Sequence, residues 1–229
     1  PPVNYVGDFG GGGMLLAFGM VAALLAVKNG AAGQVVDAAM VDGSALLASM
    51  VWQLKGAGIW DERTGANWLD SGAHFYDTYA CADGRFVAFG SIEPQFYALL
   101  RQMLGVADDR DFDAQMDAGR WPALKEKVAS IIASKPCDHW CEKMEHTDIC
   151  FAPVLSMAEA PEHPHNAARG TFIEVAGVTQ PAPAPRYGGT PTDAPTPPPQ
   201  AGTHSDDLLG RCGYDDEKIA DLRKAGVIA

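Results

Sequence analysis

The run Met14 to Lys28, MLLAFGMVAALLAVK, restricts how this chain can fold more than any other stretch. It is rich in Ala, Leu and Met, follows four consecutive glycines, Gly10 to Gly13, and stops at Asn29-Gly30. Such residues favour helix, and Asn-Gly is a helix exit because it accepts a left-handed backbone. A helix apolar nearly all round is expected to be buried on most faces. From Met14 to Val27 it is shorter than the roughly 20 residues that cross a bilayer, so a buried core helix is expected. With 229 residues, 47% of them hydrophobic, the chain can bury a sizeable core in one large domain or two smaller ones.

The stretch before this helix, VGDFGGGGM, places Asp8 directly ahead of the glycines. Asp8-Phe9-Gly10 spells the metal-binding tripeptide of protein kinases, but the kinase nucleotide loop, strand lysine and HRD-type loop are missing. A phosphate-cradling loop needs Lys and then Ser or Thr after its last glycine, whereas Gly13 is followed by Met14 and Leu15. What remains is an acid at the mouth of an apolar helix. A net charge of -12 argues against nucleic-acid and membrane-surface partners, which select for basic groups. Five scattered cysteines, Cys81, Cys137, Cys141, Cys150 and Cys212, without a secretory signal suggest reduced thiols and a cytoplasmic setting. Cys137, His139, Cys141 and His146 match no common zinc spacing, so no metal is expected.

Further along, Gln34 to Ala38 reads as a short strand and Val41 to Leu54 as a second apolar helix. Gly56, Gly58, Gly65 and Gly72, mixed with Asp61, Asn67 and Asp70, mark an irregular linker. Strands are expected at Phe75 to Ala80 and Arg85 to Gly90, with Asp83-Gly84 as the turn between them. Pro94 suits a helix start, Gln95 to Leu104 continue it, and Gly105 ends it. Helices at Trp121 to Ser134 and Asp138 to His146 and a strand near Phe151 to Leu155 complete a compact α+β unit. Pro181 to Pro199 reads as an extended proline tether, and Asp206 to Leu209 and Asp215 to Lys224 as short terminal helices.

Three segments carry a family resemblance: Asn4 to Gly12 (NYVGDFGGG), Gly33 to Met40 (GQVVDAAM) and Gly90 to Tyr97 (GSIEPQFY). Together with Asn67-Trp68-Leu69-Asp70, Thr147 to Cys150 and His165 to Gly170, they resemble the alpha-methylacyl-CoA racemases within the family III CoA-transferases, over essentially the whole chain. The resemblance implies an α/β protein with a small α+β domain and the last part of a Rossmann-like large domain, assembled as an interlocked homodimer. By this reading 1-38 ends the large domain, 39-74 is a linker, 75-163 is the small domain, 164-182 returns, and 183-229 packs on the large domain. The substrate would be an acyl-CoA, with coenzyme A part of the substrate and no separate cofactor.

Racemisation beside a thioester removes the α-proton and returns it on the opposite face, which calls for two bases. The resemblance makes Asp8 one of them, and an acid at a helix N-terminus is held in its carboxylate form by the dipole. The residues alone leave open the alternative that Asp8 is only a helix cap. Gly10, Gly11 and Gly12 would let substrate approach the backbone, where amides could stabilise an enolate oxygen. By resemblance Glu93 orients the second base, a histidine, with Asn4 in the same polar network; the residues alone favour a solvated capping acid at Glu93. By its place in a family motif Met40 would line the substrate path, Leu69, Tyr76 and Ile92 read either as apolar walls donated across the dimer or as local core, and Met20 and Met50 read as core filling. The departure is that no histidine of this chain lies in the matching motif, and His74 stands where relatives commonly have proline. Little or no activity is therefore expected from the 229 residues alone. A CoA-transferase with Asp8 as nucleophile is the runner-up, disfavoured because transferases typically carry a glycine-rich loop where Glu93 to Tyr97 stand here. A noncatalytic interaction module is the third reading.

Overall fold

A computed structural model describes residues 3–228. The fold separates into two compact units on either side of the Val154–Leu155 bond.

The first unit opens with a π-helical segment, Tyr5–Met14, that runs without a break into α1, Leu15–Lys28. The glycines therefore lie inside a helix, not in a loop ahead of one. The reason is visible in their neighbours. α2, Met40–Leu47, crosses the segment so closely that a Cβ on Gly43 would stand 1.8 Å from the Gly11 carbonyl oxygen. A Cβ on Gly11 would meet the Ser44 nitrogen at 2.8 Å, and one on Gly12 would meet Met40 Cγ at 3.1 Å. Only residues without side chains admit this backbone-to-backbone contact.

The continuous helical run, Tyr5–Lys28, is 24 residues, longer than the sequence alone suggests, and is long and apolar enough by length and composition to cross a membrane. Core helices of globular proteins pass the same test. The expected burial of α1 is not met within this chain. None of its residues is buried, and Phe18, Val21 and Leu24 are each more than 60% exposed. Met20 and Met50 are also exposed, so neither fills a core here. The expected strand at Gln34 to Ala38 is irregular backbone. A strand needs a ladder partner for its amides, and the two sheets among the described residues lie elsewhere. The second apolar helix is split by Ala48 into α2 and α3, Ser49–Gly56.

The hydrophobic core of this unit lies wholly between Ala73 and Ile149. β1, Thr78–Ala80, pairs antiparallel with β2, Phe86–Phe89, through the Asp83-Gly84 turn. α4, Pro94–Leu104, starts on its proline and ends on Gly105, whose φ of 74° is the left-handed cap that glycine favours. A 3₁₀ turn, Arg110–Phe112, precedes α5, Trp121–Ile132, and α6, Cys137–Met144. β3, Phe151–Val154, returns antiparallel to β2, giving the order β1-β2-β3. Tyr97, Leu100 and Leu104 of α4 and Leu124, Val128 and Ile132 of α5 face inward at three- and four-residue spacing.

The second unit holds two short helices, α7, Glu159–Glu162, and α8, Pro164–Arg169, before a hairpin of β4, Phe172–Val175, and β5, Val178–Pro181. The hairpin is absent from the sequence expectations because its turn, Ala176-Gly177, interrupts only a short mixed stretch. Irregular backbone follows across the proline-rich stretch. It leads to α9, Ser205–Arg211, and α10, Asp216–Lys224, capped by Asp215 accepting from the Lys218 amide at 2.8 Å.

Candidate active site

The residues singled out from sequence fall into two sets, joined among the described residues by no hydrogen bond or ion pair.

The first set lies on the π-helical segment and α2. Asn4 flanks the segment, and its carbonyl accepts from the amides of Asp8 at 3.2 Å and Phe9 at 3.3 Å. Asp8 is exposed in the first turn of the segment. Its own amide is bonded to Asn4, so Asp8 lies within the helix and not ahead of it. Gly11 and Gly12 are buried against α2, and Met40 lies beside Gly12 with half of its surface exposed. Gly10 faces the Tyr5 carbonyl and a Leu47 methyl.

Of the second set, Leu69, Tyr76, Ile92 and Glu93, only Tyr76 lines a groove of about 390 Å³ on the sheet, together with Gly90, Cys150 and Phe151 among others. Tyr76 is half-buried, and its ring lies 3.6 Å from where a Cβ on Gly90 would stand. Asp77, also on the groove, pairs with Lys125 at 2.6 Å. Ile92 is partly buried against the core, and Glu93, exposed, immediately precedes α4 without capping it. Leu69, half-buried, belongs to a loop that satisfies its own polar groups. Asn67 donates to the Asp61 carbonyl and to Asp70, while Asp70 accepts from the amides of Gly65 and Asn67. The stretch expected as a loose linker is thus internally tied.

Electrostatics separate the working edge of this unit from its interior. Burial, followed by the nearby carboxylates of Glu93 and Asp148, raises the Cys150 thiol above its ordinary value. Burial pushes the Cys81 thiol up to about 11 and Cys141 up to about 12, so these are inert core thiols. Cys137 and Cys141 have their sulfurs 3.9 Å apart, and among the described residues no cluster of three or more metal-binding side chains forms. His74 is fully buried, with Nε2 2.7 Å from the Tyr97 hydroxyl, which donates to the Phe112 carbonyl at 3.0 Å. Since Tyr97 has one hydrogen, Nε2 carries the His74 proton, and Nδ1 is left as an unpartnered lone pair. Burial lowers His74 to about 4. It is a neutral core histidine.

Sequence reasoning missed Gln115, whose amide reaches the backbone just ahead of Glu93, and Gly43, the far side of the helix crossing. Neither lies in a stretch whose spacing signals a role. Gly43 could be found only by asking what four glycines in a helix must pack against.

Residues 2–205 match the CoA-transferase family III, and the chain belongs to that family. It is 40% identical over 230 aligned residues to alpha-methylacyl-CoA racemase of Mus musculus, using 100% of this chain and 60% of that protein. It is likewise 40% identical to alpha-methylacyl-CoA racemase of Homo sapiens, over 99% of this chain and 60% of that protein. The chain thus spans about three-fifths of the length of these relatives. The fold resembles the crystal structure of a CAIB/BAIF family protein from Brucella suis, with a TM-score of 0.70 at 18% identity over 92% of this chain and 56% of that one.

Proposed function

We propose that this chain contributes to the epimerisation of 2-methylacyl-CoA thioesters, exchanging the α-proton between the two faces of an enolate. The 40% identity to two alpha-methylacyl-CoA racemases along the whole chain is the observation that carries the reading. In it, Asp8 is one base. It takes the α-proton, the electron pair moves onto the thioester oxygen, and a second base on the opposite face returns a proton to carbon. That second base is a histidine supplied from outside these 229 residues. Glu93 orients it, with Asn4 in the same polar network, and Gly10, Gly11 and Gly12 lie along the thioester. Met40, Leu69, Tyr76 and Ile92 form the acyl walls. The separation of these residues into two sets within one chain fits a site completed across an interlocked homodimer. So do the bare apolar faces of α1, because a helix of this composition is stable in water only when covered. Such cover also makes it a core helix in place of a membrane span, in a cytoplasmic protein. Residues 1-38 and 183-229 then belong to the large domain and 75-163 to the small one, joined by 39-74 and 164-182. The core confined to Ala73–Ile149 supports that division.

A transfer of coenzyme A through an aspartyl thioester at Asp8 is the second reading, favoured by the family's own chemistry. Incubation with a 2-methylacyl-CoA in deuterated water separates the two, using this chain together with the histidine-bearing segment. Deuterium at the α-carbon without any acyl acceptor is expected. Movement of coenzyme A that depends on an acceptor, with no α-exchange, would favour transfer.

A further inference from the structure

The backbone between the sheet and α4 is tied down residue by residue. Gly90 donates to the Cys150 carbonyl at 2.9 Å and Ser91 to the Phe75 carbonyl at 3.0 Å. The buried Ser91 hydroxyl donates to the Ile149 carbonyl at 2.5 Å. The carbonyls of Ser91 and Ile92 are taken by one side chain: Gln115 Nε2 donates to the first at 3.2 Å and to the second at 2.8 Å. A primary amide carries two N–H groups, so a single glutamine can hold two consecutive carbonyls. Gln115 is itself anchored, because its carbonyl accepts from the indole of the buried Trp121 at 2.8 Å. Glu93 comes next in the chain and makes no cap bond to α4. Where its carboxylate stands therefore depends on the backbone that leads to it.

We propose that Gln115 is a positioning residue for Glu93, clamping the Ser91–Ile92 backbone so that the carboxylate is held near Cys150. Its meaning for catalysis rests on the racemase reading, but its geometry can be tested without turnover. Cys150 is a surface thiol whose ionisation is held back by partial desolvation, then by the charges of Glu93 and Asp148. Alkylating reagents attack the thiolate, so the pH profile of Cys150 alkylation reports how near that carboxylate stands.

The experiment measures iodoacetamide labelling of Cys150 against pH on the 229-residue chain, located by peptide mass spectrometry. Glu93→Gln is expected to move the profile to lower pH and to raise the rate near neutrality about twofold or more, the scale of one exposed charge pair. Gln115→Met keeps the bulk, removes both donors, and is expected to move the profile in the same direction. The double variant is expected to go no further than Glu93→Gln alone. Continued protection of the buried Cys81 and Cys137 shows that the fold persists. If they become labelled in Gln115→Met, Trp121→Phe, which keeps an aromatic ring in the core and removes the indole donor to the Gln115 backbone carbonyl, is read in its place with the same expectation. A wild-type profile in the clamp variant beside a shifted one in Glu93→Gln would overturn the proposal. An unmoved profile in Glu93→Gln would overturn it too, by removing the carboxylate from Cys150. Neither result bears on α-proton exchange, so the two claims fail separately.

Discussion

At the residue scale, the contrast between His74 and Asp8 shows what a side chain's surroundings permit. His74 is caged by the rings of Phe75, Tyr97 and Phe112 at 5.2 to 5.6 Å, and no charged group shifts it. Protonation would place a donor on Nδ1 with no acceptor to meet it. The folded-state value near 4 lies below the ordinary 6.5, so the folded protein prefers the neutral ring. The resulting stability is complete above pH 6.5 and is lost as pH falls toward 4, a change of about 3 kcal/mol. Urea unfolding at pH 7.5, 5.5 and 4 should show that loss in the wild type and a clearly smaller one in His74→Phe. Equal slopes in the two proteins would contradict it. The sequence reading set His74 aside because of the resemblance. The physical reason, a buried imidazole sharing a tyrosine hydroxyl, depends on Phe112 and Tyr97, which lie 38 and 23 positions away and are invisible as a motif.

At the scale of elements, the glycines of the π-helical segment make the lesson concrete. Read as sequence they lie ahead of the helix and let substrate approach the backbone. In the fold they are a helix face, and the group they admit in this chain is α2. The two views differ because glycine signals a need for close approach without saying by what. Gly43→Ala tests the crossing, since its Cβ would meet a backbone oxygen that no rotamer change can move. A destabilisation of roughly 1–3 kcal/mol or more is expected, as for overpacked cores, appearing as faster amide exchange across Tyr5–Met14. Unchanged exchange there would show that the helices do not pack so closely. Elements with local punctuation were legible: α4 between Pro94 and Gly105, the β1–β2 turn at Asp83-Gly84, and α10 behind Asp215. The strand expected at Gln34 to Ala38 was not, because a strand is defined by a partner that the stretch itself cannot encode.

At the scale of the whole molecule, two facts meet. The chain belongs to the CoA-transferase family III, and among the described residues its longest apolar helix has no buried residue, with only one face, Leu15, Gly19, Ala23 and Ala26, half-covered. The sequence marked Met14 to Lys28 as a helix and expected it buried on most faces, but burial is a property of an assembly and not of a periodicity. The same holds for the site. Asp8 and Glu93 were singled out with the help of the family resemblance, and the structure sets them on separate elements of one chain.

The most direct test of the proposed chemistry is α-deuterium incorporation into a 2-methylacyl-CoA in D₂O. It compares wild type with Asp8→Asn, each complemented by the histidine-bearing segment. The account predicts that Asp8→Asn abolishes most of the exchange while acyl-CoA binding persists. Exchange at the wild-type rate in Asp8→Asn would contradict it.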